Sequence, residues 1–304
     1  MQANLRLIQR HLRVSIFIAI AIALMEFVGG ILSDSLSLVS DAVHVFGDIL
    51  AIFLSLFAVS LATRHHKGSM TYGYHRAEVL ASMANGVLLC AMSAWIVVDA
   101  YQKLYSPKPI DAVLVIALAS IGLVGNLVIM KVLRGDQERN LNVKSAFSHV
   151  LYDTISSIAV ICVGTFTLFT GIPGLDPLVA LLIAVFIARS GFKIIKDSAH
   201  ILLEGAPPQL NMEEIRDAIL KIEKVLEVHD LHVWTITSGM NALSGHIVVP
   251  DQILSEADKA VQAINKTLLE EFGISHTTLQ VEPEKKVSFK LGSNDPENRR
   301  TTKE

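Results

Sequence analysis

The chain has 304 residues, of which 51% are hydrophobic and 18% are charged, against about 45–50% and about 25% in soluble proteins. A mean hydropathy of +0.48 argues against an ordinary soluble enzyme. Residues 1–196 hold 26 charged side chains with a formal charge of +4, and residues 197–304 hold 29 with a charge of −7. The acidic second part argues against nucleic-acid binding, and two cysteines are too few for a Cys-rich metal site.

Six apolar stretches follow a short first segment, 1–13. Each approaches the roughly 20 residues that a helix needs to cross a bilayer. They cover residues 14–32, 36–61, 79–101, 112–130, 146–169 and 177–195. Arginines before the first stretch also fit a signal peptide, but the five further apolar stretches favour a span. The sequence therefore predicts an all-α six-helix membrane bundle over 14–196.

The basic residues of the short loops predict the orientation of this bundle, because cytoplasmic loops retain Lys and Arg. With both termini inside, 13 Lys and Arg lie on the cytoplasmic side and two, Lys103 and Lys108, lie outside. The acidic last third is therefore expected in the cytoplasm.

Two predicted spans carry the same pattern, His-x-x-x-Asp. It occurs as His44 with Asp48 in the second span and as His149 with Asp153 in the fifth. Residues four apart lie on one face of a helix, so two such faces would present two imidazoles and two carboxylates. Zn²⁺ accepts this tetrahedral set. The alternative is a structural ion pair, but neither span supplies a Lys or Arg, and a buried charge of −2 needs a cation.

Other polar residues fall within or near the spans. Asp41, one turn before His44, is expected to support the ligands or to cap its span, and Asn85 is a further supporting candidate or an interhelical hydrogen-bonding group. Glu26 is expected at the membrane interface. The loop after the second span holds His65, His66 and His75, which either gather metal at the cytoplasmic mouth or are simply solvated among basic neighbours; the sequence does not decide their role.

The pattern changes after residue 196. A linker over 197–206 leads to a domain over 207–283, with predicted helices at 211–224 and 255–272 and strands at 228–236, 242–249 and 277–282. This order predicts a small α+β, ferredoxin-like domain. The polar tail, 284–304, is expected to be disordered.

Histidines also gather in this second domain. His229 and His232 lie three apart in a strand, so regular alternation places them on opposite faces. Either can combine with His246 on the next strand and Glu282 on the last. The sequence leaves the roles of His232 and His276 open.

Several motifs in this order carry a family resemblance. They are Ser-Asp-Ala-Val-His-Val-Phe-Gly-Asp at 40–48, Thr-Tyr-Gly-Tyr-His-Arg-Ala-Glu at 71–78, Ser-His-Val-Leu-Tyr-Asp at 148–153, Asp-Pro at 176–177, His-Asp-Leu-His-Val-Trp at 229–234 and Leu-Gln-Val-Glu at 279–282. The chain resembles the cation diffusion facilitators, specifically the bacterial zinc and cadmium exporters, over residues 14–282.

This resemblance implies a homodimeric six-helix transporter with a cytoplasmic ferredoxin-like domain that exchanges metal for protons. It implies an intramembrane site at His44, Asp48, His149 and Asp153. It also implies a cytoplasmic metal site, whose residues are His229, His246 and Glu282.

The resemblance also bears on the loops. The loop site of some members is expected to be absent, because Met70 and Tyr74 occupy its positions. The lack of histidine between 134 and 144 favours a bacterial plasma-membrane protein over a eukaryotic relative.

Two other functions stay open from the residues alone. An intramembrane zinc hydrolase needs an open coordination position and often a His-Glu-x-x-His string, which does not occur here. A metal receptor would bind the ion without moving it. Two imidazoles argue against Mg²⁺ and Ca²⁺ but do not separate Zn²⁺, Cd²⁺ and Co²⁺.

Overall fold

The computed structural model describes residues 2–62, 72–134, 141–172, 174–237 and 239–284, without the side chains of 2–13, 51–52, 55–62 and 141–146. The chain divides into two compact units, Met1–Ser198 and Ala199–Glu304. Residues 285–304 of the predicted tail and the histidines at 65 and 66 lie outside the described residues.

The first unit contains six long helices. They are α1 (Gln2–Leu32), α2 (Leu36–Ala62), α3 (Arg76–Tyr105), α4 (Ala112–Leu133), α5 (Leu141–Thr170) and α6 (Leu175–Leu202). Five of them are long and apolar enough to cross a membrane, α1 through its part Val14–Leu32; in the sixth, α2, many side chains lie outside the described part. The helical membrane domain predicted from the sequence is confirmed, and α6 extends into the predicted linker 197–206.

Helix α2 packs against α1, α3 and α5, and α4 packs against α1 and α5. One apolar core joins α2, α3 and α6 through residues such as Val43, Leu89 and Ile187. A second core joins α2, α4 and α5 through Leu38, Val115 and others. Helix α2 thus contributes to both cores.

Helices α3 and α6 touch through their backbones at one level. A Cβ on Gly86 would lie 2.9 Å from the carbonyl oxygen of Gly191, and a Cβ on Gly191 would lie 2.9 Å from that of Gly86. Small residues permit such close approach of membrane helices. Beside this contact, Ser93 donates a hydrogen bond of 2.6 Å to the carbonyl oxygen of Ala184.

A carboxylate from α6 holds the N-terminus of α2. Asp176 is fully buried and accepts hydrogen bonds from the Ser35 hydroxyl (2.6 Å), the Ser37 hydroxyl (2.5 Å) and the Leu36 amide (2.7 Å). The first amides of a helix lack partners within the helix, and their partial positive charge favours an anion. Asp176 therefore caps a helix from a distant part of the chain.

The second unit contains α7 (Met212–Leu220), β1 (Glu227–Thr237), β2 (Met240–Val249), α8 (Leu254–Phe272) and β3 (Ile274–Pro283). The sheet order is β1-β2-β3, with β1 antiparallel and β3 parallel to β2. This confirms the predicted α+β domain. Asn211 caps α7 by accepting from the Glu213 amide at 2.9 Å, and Gly273 ends α8 with φ +65°.

The predicted helix 211–224 is shorter in the structure because α7 ends at Leu220. Its last predicted residue, Lys224, lies in a turn with φ +69°. The apolar core joins α7, α8 and one face of the sheet, through residues such as Ile219, Ile247 and Ile264. The opposite face of the sheet carries the polar side chains described below.

Glu256, in the first turn of α8, lies between two lysines, 2.6 Å from Lys259 Nζ and 3.0 Å from Lys224 Nζ. Hydrogen bonds from Lys259 and then Lys224 lower the pKa of Glu256 from 4.5 to about 2. A carboxyl with a lowered pKa stabilises the fold fully above its unfolded pKa and loses this effect as the pH falls through its folded pKa.

Glu256→Gln should therefore lower the thermal unfolding temperature at pH 6, and its difference from the wild type should shrink between pH 4.5 and pH 2. Calorimetry on the full-length protein measures this difference. Glu270→Gln, which changes an exposed carboxylate of the same helix, is the matched control. An equal, pH-independent difference for both variants would contradict the assignment.

Two candidate metal centres

The first centre lies between α2 and α5. His44 and Asp48 are one turn apart on α2, and His149 lies on α5. Asp48 Oδ2 is 3.1 Å from His149 Nε2 and 3.8 Å from His44 Nε2. Ligand atoms of these three residues lie within 4.8 Å of one another, so together they could hold a metal ion. The His-x-x-x-Asp faces of two helices thus meet.

Asp153 lies one turn after His149 on α5. Its Oδ2 is 3.9 Å from His149 Nε2, and its Oδ1 is buried without a hydrogen-bond partner among the described residues. Asp153 is thus beside the group of three rather than within it. Among the described residues, the ion pairs of Asp48 and Asp153 are made with histidine alone, which leaves their negative charge available to a cation.

The two supporting candidates lie in different surroundings. Asp41 is 2% exposed, and its Oδ1 has no hydrogen-bond partner in the described part of the chain. It interacts electrostatically with Asp153, so it lies near the centre. Asn85 on α3 is equally buried, but neither cluster of candidate ligands includes it. Support by either residue stays a prediction.

Glu26, for which the sequence suggested a position at the membrane interface, is buried among the helices. It is 1% exposed inside the bundle, and a Cβ on Gly122 of α4 would overlap its Oε1. Glu26 interacts electrostatically with Asp41 and Asp153. Position along the span did not reveal this, because the facing Gly122 that makes room for the carboxyl lies 96 residues further along the chain.

The second centre lies on the open face of the sheet in the other unit. His229 of β1 is directly paired with His246 of β2, and Glu282 of β3 is paired with Val248, two residues from His246. Side chains alternate along strands, so all three ligands share one face. Glu282 Oε1 is 3.2 Å from His246 Nδ1, and Glu282 Oε2 is 3.5 Å from His229 Nε2.

These distances suit a metal ion. Ligands at about 2.0–2.2 Å from a tetrahedral ion lie about 3.3–3.6 Å from one another. The two contacts of Glu282 with His229 and His246 are close to that range, and Glu282 is largely buried while remaining accessible from the face. Two imidazoles and a carboxylate leave one tetrahedral position open.

The prediction that His229 and His232 point to opposite faces is wrong. His229 pairs with His246 and His232 pairs with Ser244, so three steps along β1 match two along β2. This β-bulge, with Asp230 at φ +51°, adds one residue and restores both histidines to the same face. His232 Nε2 nevertheless contacts Asp230 Oδ1, at 3.1 Å, rather than the three candidate ligands.

Two family models match the chain. The cation efflux transmembrane domain matches residues 12–203, and the cytoplasmic domain of cation efflux proteins matches residues 207–284. The chain is similar to the cadmium, cobalt and zinc/H⁺-K⁺ antiporter of Bacillus subtilis, with 36% identity over 279 residues that cover 91% of this chain and 89% of the relative.

It is also similar to the metal cation efflux system protein CzcD of Cupriavidus metallidurans, with 34% identity over 274 residues that cover 90% of this chain and 86% of the relative. A solved structure of the metal-bound C-terminal domain of the CzcD transporter covers 24% of this chain and 99% of its own, at 32% identity and a TM-score of 0.23. The chain therefore belongs to the cation efflux, or cation diffusion facilitator, family of divalent metal exporters: a multi-pass membrane protein with a cytoplasmic C-terminal domain, and not an enzyme.

Proposed function

We propose that this chain exports Zn²⁺ from the cytoplasm in exchange for protons, through a site formed by His44, Asp48, His149 and Asp153. The observation that supports this most strongly is the meeting of the two His-x-x-x-Asp faces between α2 and α5, where Asp48 Oδ2 approaches both imidazoles. The names of the relatives, which include cadmium, cobalt and zinc, agree with this choice of substrate.

The donor atoms favour a transition metal. Two imidazole nitrogens with carboxylate oxygens suit Zn²⁺, whereas Mg²⁺ and Ca²⁺ take oxygen shells. Co²⁺ and Cd²⁺ accept the same donors, so the site supports export of these ions as well. The carboxylates neutralise the charge of the ion, which enters a membrane interior that excludes unpaired charge.

Competition between protons and metal provides the exchange. An imidazole binds metal only when its ligating nitrogen is unprotonated, so protons and metal compete for the same nitrogen. On the cytoplasmic side His44 and His149 bind the ion after losing their protons. When the helices rock to expose the site outward, a more acidic exterior protonates the imidazoles, releases the ion and loads the protons that return.

Inverted membrane vesicles test this function. With an acidic lumen, vesicles containing the purified protein should accumulate Zn²⁺, and collapse of the pH gradient with an ionophore should stop the uptake. The rates of uptake of Zn²⁺, Cd²⁺ and Co²⁺, each added alone, are compared, and Mg²⁺ serves as the negative control. Zinc binding without flux under both conditions would favour a metal receptor and overturn the proposal.

We further propose that His229, His246 and Glu282 bind Zn²⁺ in the cytoplasmic domain, where the ion stiffens a homodimer and senses cytosolic zinc. The distances between donor atoms support this role. The basic loops favour both termini in the cytoplasm, and the lack of histidine between 134 and 144 favours the bacterial plasma membrane.

His246→Ala should weaken zinc binding to this centre by at least about 100-fold. Loss of a group that only orients a ligand already lowers metal affinity by about 10–100-fold, and His246 is itself a ligand in this proposal. We expect the variant to need higher cytosolic zinc for full flux. Flux measured over a range of zinc concentrations detects the shift, with His276→Ala on the same sheet as control. Equal transport by His246→Ala and wild type at all zinc levels would refute the sensing role.

A further inference from the structure

Each imidazole of the cytoplasmic centre has a carboxylate on both sides. His246 directs Nδ1 towards Glu282 Oε1 at 3.2 Å, and its Nε2 lies 3.9 Å from Asp230 Oδ2. His229 directs Nε2 towards Glu282, and its Nδ1 lies 3.8 Å from Glu227 Oε1. One nitrogen of each ring thus faces the shared carboxylate and the other faces a separate one.

A neutral imidazole carries one N–H and one lone pair, and only the lone pair can bind metal. The two ring nitrogens point in different directions, so Asp230 beside Nε2 cannot bind the same ion as Nδ1 of His246. At 3.9 Å it is too distant for a hydrogen bond, but its negative charge favours the hydrogen on Nε2. That tautomer leaves the lone pair on Nδ1, where Glu282 lies.

The backbone places Asp230 for this contact. In a regular strand the residue after His229 would point to the face covered by the helices. The β-bulge and the positive φ of Asp230 turn its side chain to the open face instead. Opposite the bulge stands Gly245, where an added Cβ would lie 3.0 Å from Leu231 Cδ1, so the missing side chain leaves room for the extra residue.

A second histidine holds the carboxylate of Asp230. His232 Nε2 lies 3.1 Å from Asp230 Oδ1, while the other oxygen, Oδ2, faces His246. The contacts therefore run from His232 through Asp230 to His246 and then to Glu282. This arrangement uses a left-handed aspartate, a conformation that non-glycine residues adopt rarely and that aspartate adopts more readily than most.

We propose that Asp230 is a positioning residue of the cytoplasmic metal centre. Asp230 holds His246 in the tautomer that presents Nδ1 to the ion, and His232 fixes the carboxylate of Asp230. This inference rests on the proposed centre of His229, His246 and Glu282. Groups that orient a ligating histidine typically contribute about 10–100-fold to metal affinity.

Three variants of Asp230 separate the side chain from the backbone. Asp230→Gly keeps the positive φ and removes the carboxylate. Asp230→Asn tolerates the same backbone and keeps one acceptor oxygen without the charge. Asp230→Ala removes the acceptor and strains the backbone. Lys224→Gly, at another positive-φ position of the same unit, is the matched control.

The measurements use the full-length protein with His44→Ala and Asp153→Ala, so that the membrane centre is silent. Titration with Zn²⁺ should give about 10–100-fold weaker binding for Asp230→Gly, a smaller loss for Asp230→Asn and no change for Lys224→Gly. Nitrogen-15 NMR of labelled histidine should show His246 protonated at Nε2 in the parent and a mixture of tautomers in Asp230→Gly.

Unchanged zinc affinity and an unchanged tautomer in Asp230→Gly would overturn the positioning role, and so would an equal loss in Lys224→Gly. His246→Ala in the same background separates this result from failure of the centre itself. If His246→Ala abolishes binding while Asp230→Gly does not weaken it, only the positioning role fails. If His246→Ala binds zinc normally, the proposed centre fails.

Discussion

Asp48→Ala is expected to abolish zinc efflux. Asp48 Oδ2 approaches both imidazoles, 3.1 Å from Nε2 of His149 and 3.8 Å from Nε2 of His44, so its removal takes away the contact that joins the ligands of α2 to those of α5. It also removes a negative charge that offsets the charge of the ion inside the membrane. We expect the rate of zinc uptake into inverted vesicles to fall by at least roughly 100-fold, or about 2.7 kcal/mol.

Two further variants sharpen this experiment. Asp48→Asn keeps the size of the side chain and one oxygen that can bind metal. The difference in zinc flux between this variant and the wild type therefore measures the contribution of the negative charge. Asp99→Ala removes a carboxylate on α3 that pairs with Lys103 at 3.7 Å, away from the centre, and should leave flux unchanged. Full zinc flux in Asp48→Ala would refute the assignment of the transport site.

Asp176→Ala should destabilise the membrane unit by about 3–5 kcal/mol. The substitution leaves two buried hydroxyls and the Leu36 amide without their acceptor, and each unsatisfied buried group costs about 1–3 kcal/mol. Rearrangement of Ser35 and Ser37 towards each other, already 3.3 Å apart, recovers part of the loss. Thermal unfolding of the detergent-solubilised protein measures the change.

A second capping aspartate provides the control. Asp111 caps α4 by accepting a hydrogen bond of 3.0 Å from the Leu114 amide in an exposed, local contact. Asp111→Ala should therefore cost only about 1 kcal/mol. Equal destabilisation by Asp176→Ala and Asp111→Ala would show that burial and the bridge between helices add nothing to an ordinary helix cap.

The main features of the fold could be predicted because they rest on local patterns. Apolar stretches of membrane-crossing length locate the helices of the first unit. Alternation of apolar and polar residues locates the strands of the second. The candidate transport residues could be predicted because the i, i+4 spacing puts His44 with Asp48, and His149 with Asp153, on single faces. Their approach across two helices required an argument about charge, since spacing within one helix says nothing about its partner.

Other features depend on contacts that no local pattern records. The β-bulge at Asp230 inserts one residue into the hydrogen-bonded pairing of β1 with β2. Because regular alternation ignores this extra residue, it predicts that His232 lies on the face opposite His229. An aspartate opposite Gly245 in the middle of two strands is the signal that could have indicated it. Asp176 was noted within a motif, but its role depends on a helix that begins 140 residues earlier.

The backbone contact between Gly86 and Gly191 has a consequence for the surrounding lipid. Because even an added Cβ at either glycine would lie only 2.9 Å from the carbonyl oxygen of the other, no acyl chain fits between α3 and α6 at this level. Access of lipid to the interior of the bundle at this level therefore requires the separation of another pair of helices.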